Sequence, residues 1–227
     1  MKTRAAVLVG MILVSALSRV IPHPPNFTPV GAVALFGAAH LRSKWAAFLL
    51  PLAALFLSDL ALEATTALGW YGGWMAHGTG FYQGMWVVYG TVVLVTALGL
   101  LLRRRKSLPR VAGSVLACST LFFLVTNFAW WAGYSLYPHT LEGLVLSYTA
   151  AIPFFHWTLL GDAFYATVLF GGFALAERHW PALQPHRLLL GLKLVSQASW
   201  ETTSLPARAA TGSGSSRSAP TGDLSST

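Results

Sequence analysis

The sequence predicts an all-α, polytopic membrane protein of about six transmembrane helices, with a broken or re-entrant segment near residues 22–41 and both termini cytoplasmic. Three observations predict it. Of 227 residues, 55% are hydrophobic and only 10% are charged, with a mean hydropathy of +0.58, whereas soluble domains carry about 25% charged residues. A chain so poor in charge cannot cover its own surface in water, which excludes a soluble globular enzyme. The apolar residues gather into runs, most of them near the ~20 residues that a helix needs to cross a bilayer. Lys and Arg exceed Asp and Glu by 15 to 7 and sit mainly in short loops between these runs, which points to a membrane and away from nucleic acid.

Helix 1 spans residues 5–21, after the basic start Met1-Lys2-Thr3-Arg4. A secretory signal peptide has the same outline, with small residues near Ala16-Leu17-Ser18. Because apolar character resumes soon after Arg19, the run is read as a retained helix. Residues 22–29, Pro-His-Pro-Pro-Asn-Phe-Thr-Pro, hold four prolines in eight positions and cannot be helix interior, since proline lacks a donor and clashes with the preceding turn. Residues 30–41 are apolar but short, and form a shortened helix 2 with the Pro-rich stretch folded back at membrane depth. Such backbone persists there only when it is buried in protein or lines a wet cavity. Helix 3 covers 45–67 with Pro51 inside, followed by a Gly- and aromatic-rich loop from Trp70 to Gln83. Helix 4 covers 84–102 and stops at Arg103-Arg104-Arg105-Lys106. Helix 5 covers 110–132. Residues 143–176 exceed one span and contain Pro153, so a lead-in helix and a separate helix 6 at 155–176 are expected. These helices form a bundle over residues 1–178. A cytoplasmic amphipathic segment is expected at 179–200, and a disordered tail at 201–227, where 21 of 27 residues are Ser, Thr, Gly, Ala or Pro.

With the N-terminus inside, six helices put Lys2, Arg4, Arg42, Lys44, the 103–106 cluster, Arg110, Arg178, Arg187 and Lys193 on the cytoplasmic side. The outer side holds only Arg19, at the end of helix 1. This is the asymmetry of the positive-inside rule.

Ionisable side chains at membrane depth cost free energy and often mark function. The same threading places Arg19, Asn26, Asp59, Glu63, Asn127, Trp131, His156 and Asp162 in the outer half of the bundle. Asp59 and Glu63 are four residues apart on one helix face, as are Asn127 and Trp131, and Thr158, Asp162 and Tyr165 form a polar stripe. The expectation is an outward-open pocket lined by these residues, with Arg19 paired to Asp59 or Asp162 because an unpaired charge there is expensive. The alternative is an ion pair that only fixes helix register. One cysteine, Cys118, excludes a disulfide framework and a Cys-based zinc site, and no nucleotide-binding loop is present. No cofactor or metal is assigned.

The segments SRVIPHPPNFTPVGAVALFGA (18–38), LPLAALFLSD (50–59), FFLVTNFAWW (122–131) and IPFFHWTLLGD (152–162) resemble an uncharacterised family of bacterial integral-membrane proteins over residues 5–176. The P-P-N-F-T-P-V and T-N-F motifs are specific to it. The resemblance implies a multi-pass protein of the bacterial inner membrane, in contact with lipid, and no established activity. Its six-helix layout is similar to the S components of energy-coupling-factor transporters, which capture vitamins or metal ions from outside. That similarity implies a small-molecule ligand and transporter coupling subunits as partners. S components often carry A-x-x-x-A in helix 1 for docking; here Ala6-x-x-x-Gly10 stands in its place. The leading reading is a small-molecule binding or transport subunit. The alternatives are a structural or assembly membrane protein and an intramembrane enzyme using His156, Asp162 and Glu63.

Overall fold

A computed structural model of the chain describes residues 2–69 and 82–184, and among them it is helical. Helix α1 runs Lys2–Leu17 and tightens into a 3-10 turn at Ser18–Val20; α2 is Val30–His40; α3 is Lys44–Ala67; α4 is Met85–Gly99, with a 3-10 extension Leu100–Arg103; α5 is Leu108–Gly133. Helix α6, Leu141–Ala166, passes through a π-helical segment, Thr167–Gly171, into α7, Gly172–His179. Five of the described helical stretches are long and apolar enough to cross a membrane, the last being the continuous 39-residue stretch Leu141–His179. The expected amphipathic segment lies outside the described residues from 185 onward, as do the tail and most of the loop after α3.

The expected division of residues 143–176 into two helices is not what forms. The helix passes through Pro153 without a break. A proline removes one backbone bond, but unwinding in a lipid environment exposes several unpaired N–H and C=O groups. One missing bond is the cheaper state. Pro51 is accommodated inside α3 for the same reason, and Gly37 leaves room for its ring, since a Cβ there would meet Pro51 Cγ at 3.1 Å.

Helix α2 is the centre of the molecule. Every residue from Gly31 to Ala39 is buried, and the helix touches α1, α3, α4, α5 and α6. A helix apolar on all sides has no solvent face to present and becomes the core. Small residues allow the close approach. A Cβ on Gly99 of α4 would meet Ala38 Cβ at 2.8 Å and Leu35 Cα at 3.1 Å. Leu8, Ile12 and Ala16 of α1 belong to the same core.

With 11 residues, α2 covers about 16 Å and cannot span a bilayer alone. Its ends carry orphan backbone groups that need partners inside the protein. At the C-terminus Arg103 supplies them: Nε donates to Ala38 O at 2.8 Å and Nη2 to Leu41 O at 2.9 Å. At the N-terminus Asp162 of α6 accepts from Ala32 N at 3.2 Å. A cation at the C-terminus and an anion at the N-terminus both oppose the helix dipole.

The end of the bundle at Arg103 is basic. There Arg4 pairs with Glu177, donates to Leu183 O and lies over the Phe173 ring, joining the start of α1 to the end of α7. Lys106 is held below its ordinary pKa by burial and by the Arg4 and Arg103 charges, against the opposing effect of Glu177.

Candidate functional site

The opposite end is shaped by the Pro-rich segment. Phe27 N donates to Pro24 O at 3.1 Å, and Asn26 has φ of 66°. That is the pattern of a type II turn, with Pro25 at the second position and a residue that tolerates positive φ at the third. Phe27 then packs on Phe164 and Tyr165 of α6, with ring centroids 5.8 and 6.0 Å away. Gly161 permits this contact, because a Cβ there would meet Thr28 N at 2.8 Å and Phe27 Cα at 3.0 Å. Pro29 caps α2 and is fully buried. The P-P-N-F-T-P motif is therefore a turn, an aromatic anchor and a helix start, in that order.

Beneath this segment lies a cavity of about 710 Å³, inside the ~300–1,000 Å³ range of small-molecule sites. Arg19, Asn26, Asp59 and Asp162 line it, and Trp130 and Tyr134 contribute aromatic wall. Arg19 is placed by the 3-10 turn that ends α1. Its Nη1 donates to Asp59 Oδ1 at 2.6 Å and to Ser58 Oγ at 2.5 Å, and Tyr89 Oη donates to Asp59 Oδ2 at 2.8 Å. Asp59 is thus satisfied at both oxygens. Tyr82, at the entrance to α4, has its phenol pushed up to about 12 by burial and by the Asp59 charge, against the opposing effect of Arg19.

Asp162 sits where α5, α6 and the start of α2 meet. It is 3% exposed, and Ser119 Oγ donates to its Oδ2 at 2.7 Å. Gly31 makes the arrangement feasible. A Cβ there would lie 2.5 Å from both Asp162 Oδ1 and Cys118 Sγ.

The other four candidates are not among the residues that line this cavity. Asn127 donates to Phe123 O within its own helix, at 2.7 Å. Trp131 donates to Pro138 O at 2.9 Å and meets the His139 ring edge-on. His156 is exposed and lies against Trp157. Glu63 is half-buried, one turn beyond Asp59. The cavity-facing line of α3 is instead Leu55, Asp59, Leu62 and Thr66, and that of α5 is Phe122, Thr126, Ala129 and Trp130. Both follow i, i+4, i+7 spacing. His23, Thr126, Trp130 and Tyr82 were not singled out from the sequence. No group of three or more His, Cys, Asp or Glu side chains is positioned to hold a metal ion among the described residues.

Residues 1–183 match the family of unknown function DUF6580. The chain belongs to this family. The match takes in the whole described bundle, α1 included. No curated protein and no solved structure matches the chain. The family member is a multi-pass, helical membrane protein.

Proposed function

We propose that this protein is a small-molecule binding or transport subunit of the bacterial inner membrane, with its receptor cavity open to the outside. The single observation that carries the reading is the 710 Å³ cavity into which Arg19, Asp59 and Asp162 all project. Charged groups at membrane depth are costly, and a purely structural ion pair does not need a chamber of ligand size beside it. The orientation follows from charge. Arg4, Arg103 and Lys106 cluster at the end opposite the cavity, the end that the positive-inside rule assigns to the cytoplasm. Trp130 and Tyr134, stacked at 4.0 Å, offer a flat surface to a planar ligand, and the polar groups orient it. Coupling subunits that dock on the membrane body belong to the same reading, as does its likeness in layout to S components.

Native mass spectrometry of the gently purified full chain tests this. The reading expects a retained molecule of small-molecule mass, depleted in a Thr126→Trp variant that places a bulky ring on the cavity wall. Lipid adducts alone, equal in both proteins, contradict it.

A further inference from the structure

We infer that the ligand of this cavity carries a positive charge next to an apolar, aromatic body, and that Asp162 is its counter-charge. The inference rests on the receptor reading above and names its substrate class.

The charges of the wall decide it. Arg19 and Asp59 neutralise each other at 2.6 Å, and the second Asp59 oxygen is taken by Tyr89. Asp162 also lines the cavity, but the described ion pairs are Arg4–Glu177 and Arg19–Asp59, and neither includes it. Its donors are the Ser119 hydroxyl, the Ala32 and Gly31 amides and, at 3.8 Å, the Cys118 thiol, all of them neutral. The N-terminus of α2 supplies a compensating partial charge of about half a unit. An ionised Asp162 therefore leaves the chamber with about half a negative charge unbalanced. His23 is a further polar side chain of the described lining. It sits with the Pro-rich segment, its Nδ1 2.6 Å from Ile21 O.

A buried carboxylate with room beside it and no ion-pair partner among the described residues favours a cation from outside the chain. A carboxylate or phosphate ligand meets the opposite: Arg19 Nη1 is taken by Asp59 and Ser58, its Nε is left as a lone buried donor, and the unbalanced negative charge repels an anion. The aromatic wall points the same way. Trp130, Tyr134, Tyr82 and Phe122 line the chamber, and ring faces attract ammonium groups in desolvated surroundings. An aromatic or alkyl amine of modest size satisfies both features.

The experiment is a matched charge series on the full-length protein in detergent, by equilibrium dialysis. The probes are tryptamine, tryptophol and indole-3-acetate, which share one ring system and differ in charge. The expected result is at least a tenfold preference for tryptamine over the other two. Asp162→Asn removes the preference for tryptamine over tryptophol. Where that variant fails to fold, Thr158→Lys serves, since it introduces a cation on the cavity wall one turn before Asp162. It abolishes tryptamine binding while indole-3-acetate gains. Equal binding of all three probes, or preference for indole-3-acetate, overturns the cation assignment and leaves the receptor reading standing. Binding of none also overturns it, while the retained-molecule measurement continues to test the receptor reading on its own.

Discussion

Replacing Gly31 by alanine tests how the floor of the cavity is built. The new Cβ would lie 2.5 Å from Asp162 Oδ1, 2.7 Å from Oδ2 and 2.5 Å from Cys118 Sγ. Comfortable non-bonded separations are about 3.5–4.0 Å, so the carboxylate has to retreat by about 1 Å. It cannot do so freely, because Ser119 and Ala32 N hold it at 2.7 and 3.2 Å. Overpacking of this kind costs about 1–3 kcal/mol. Stranding the Ala32 amide inside the bundle costs about 1–3 kcal/mol more. Against this, alanine gains at most ~1 kcal/mol of helix propensity. The net loss is about 1–5 kcal/mol, or roughly 2–20 °C in melting temperature for a chain of this length. Gly10 in α1 is the control, since a Cβ there meets nothing within 4 Å; G10A gains or is neutral. Thermal unfolding of purified G31A and G10A in the same detergent measures the difference. Equal melting temperatures refute the account of how Asp162 meets α2.

Three further predictions follow from the same contacts. Arg103→Gln removes the fork that closes the C-terminus of α2 at Ala38 and Leu41 and lowers stability by about 2–3 kcal/mol; Arg104→Gln, on an exposed residue, leaves the melting temperature unchanged in the same scan. Asp59→Asn strands the Arg19 charge and costs about 3–5 kcal/mol, and the double variant Arg19→Gln with Asp59→Asn is more stable than Asp59→Asn alone in denaturant titration. Tyr82, raised from 10.0 to about 12, holds its proton more tightly in the folded state, so its contribution is complete below pH 10 and is lost as pH rises toward 12. Melting temperatures measured across that window fall less steeply for Tyr82→Phe than for the parent.

The spans were legible because composition alone dictates them. An apolar run of this length has few alternatives to a membrane helix, and even the short α2 announced itself by having no polar face. Pro153 misled because proline breaks helices in water, where the freed carbonyl is solvated at no great cost; inside a bilayer the balance reverses. The Arg19–Asp59 pair lies within the range of partners that burial of a charge demands. The faces of α5 were harder. Asn127–Trp131 and Thr126–Trp130 have the same i, i+4 spacing and differ by one residue, a rotation of about 100°. Sequence spacing gives the stripe but not its direction, and here the lining side is Thr126–Trp130. Nothing in the basic run 103–106 distinguished Arg103, which caps α2, from Arg104 and Arg105, which are exposed. That assignment needs the position of a helix more than sixty residues earlier in the chain.

Cysteine labelling from each side of the membrane tests most directly whether the chamber is wet and faces outward. In a Cys118→Ala background, single cysteines replace Thr126 and Thr158, which line the cavity, or Leu124, which is 48% exposed on the outer surface of α5. A membrane-impermeant maleimide added outside is expected to modify the first two and spare Leu124→Cys, because thiols in lipid do not ionise. Modification of Thr126→Cys and Thr158→Cys from the cytoplasmic side alone, or from neither side, contradicts an outward-open receptor.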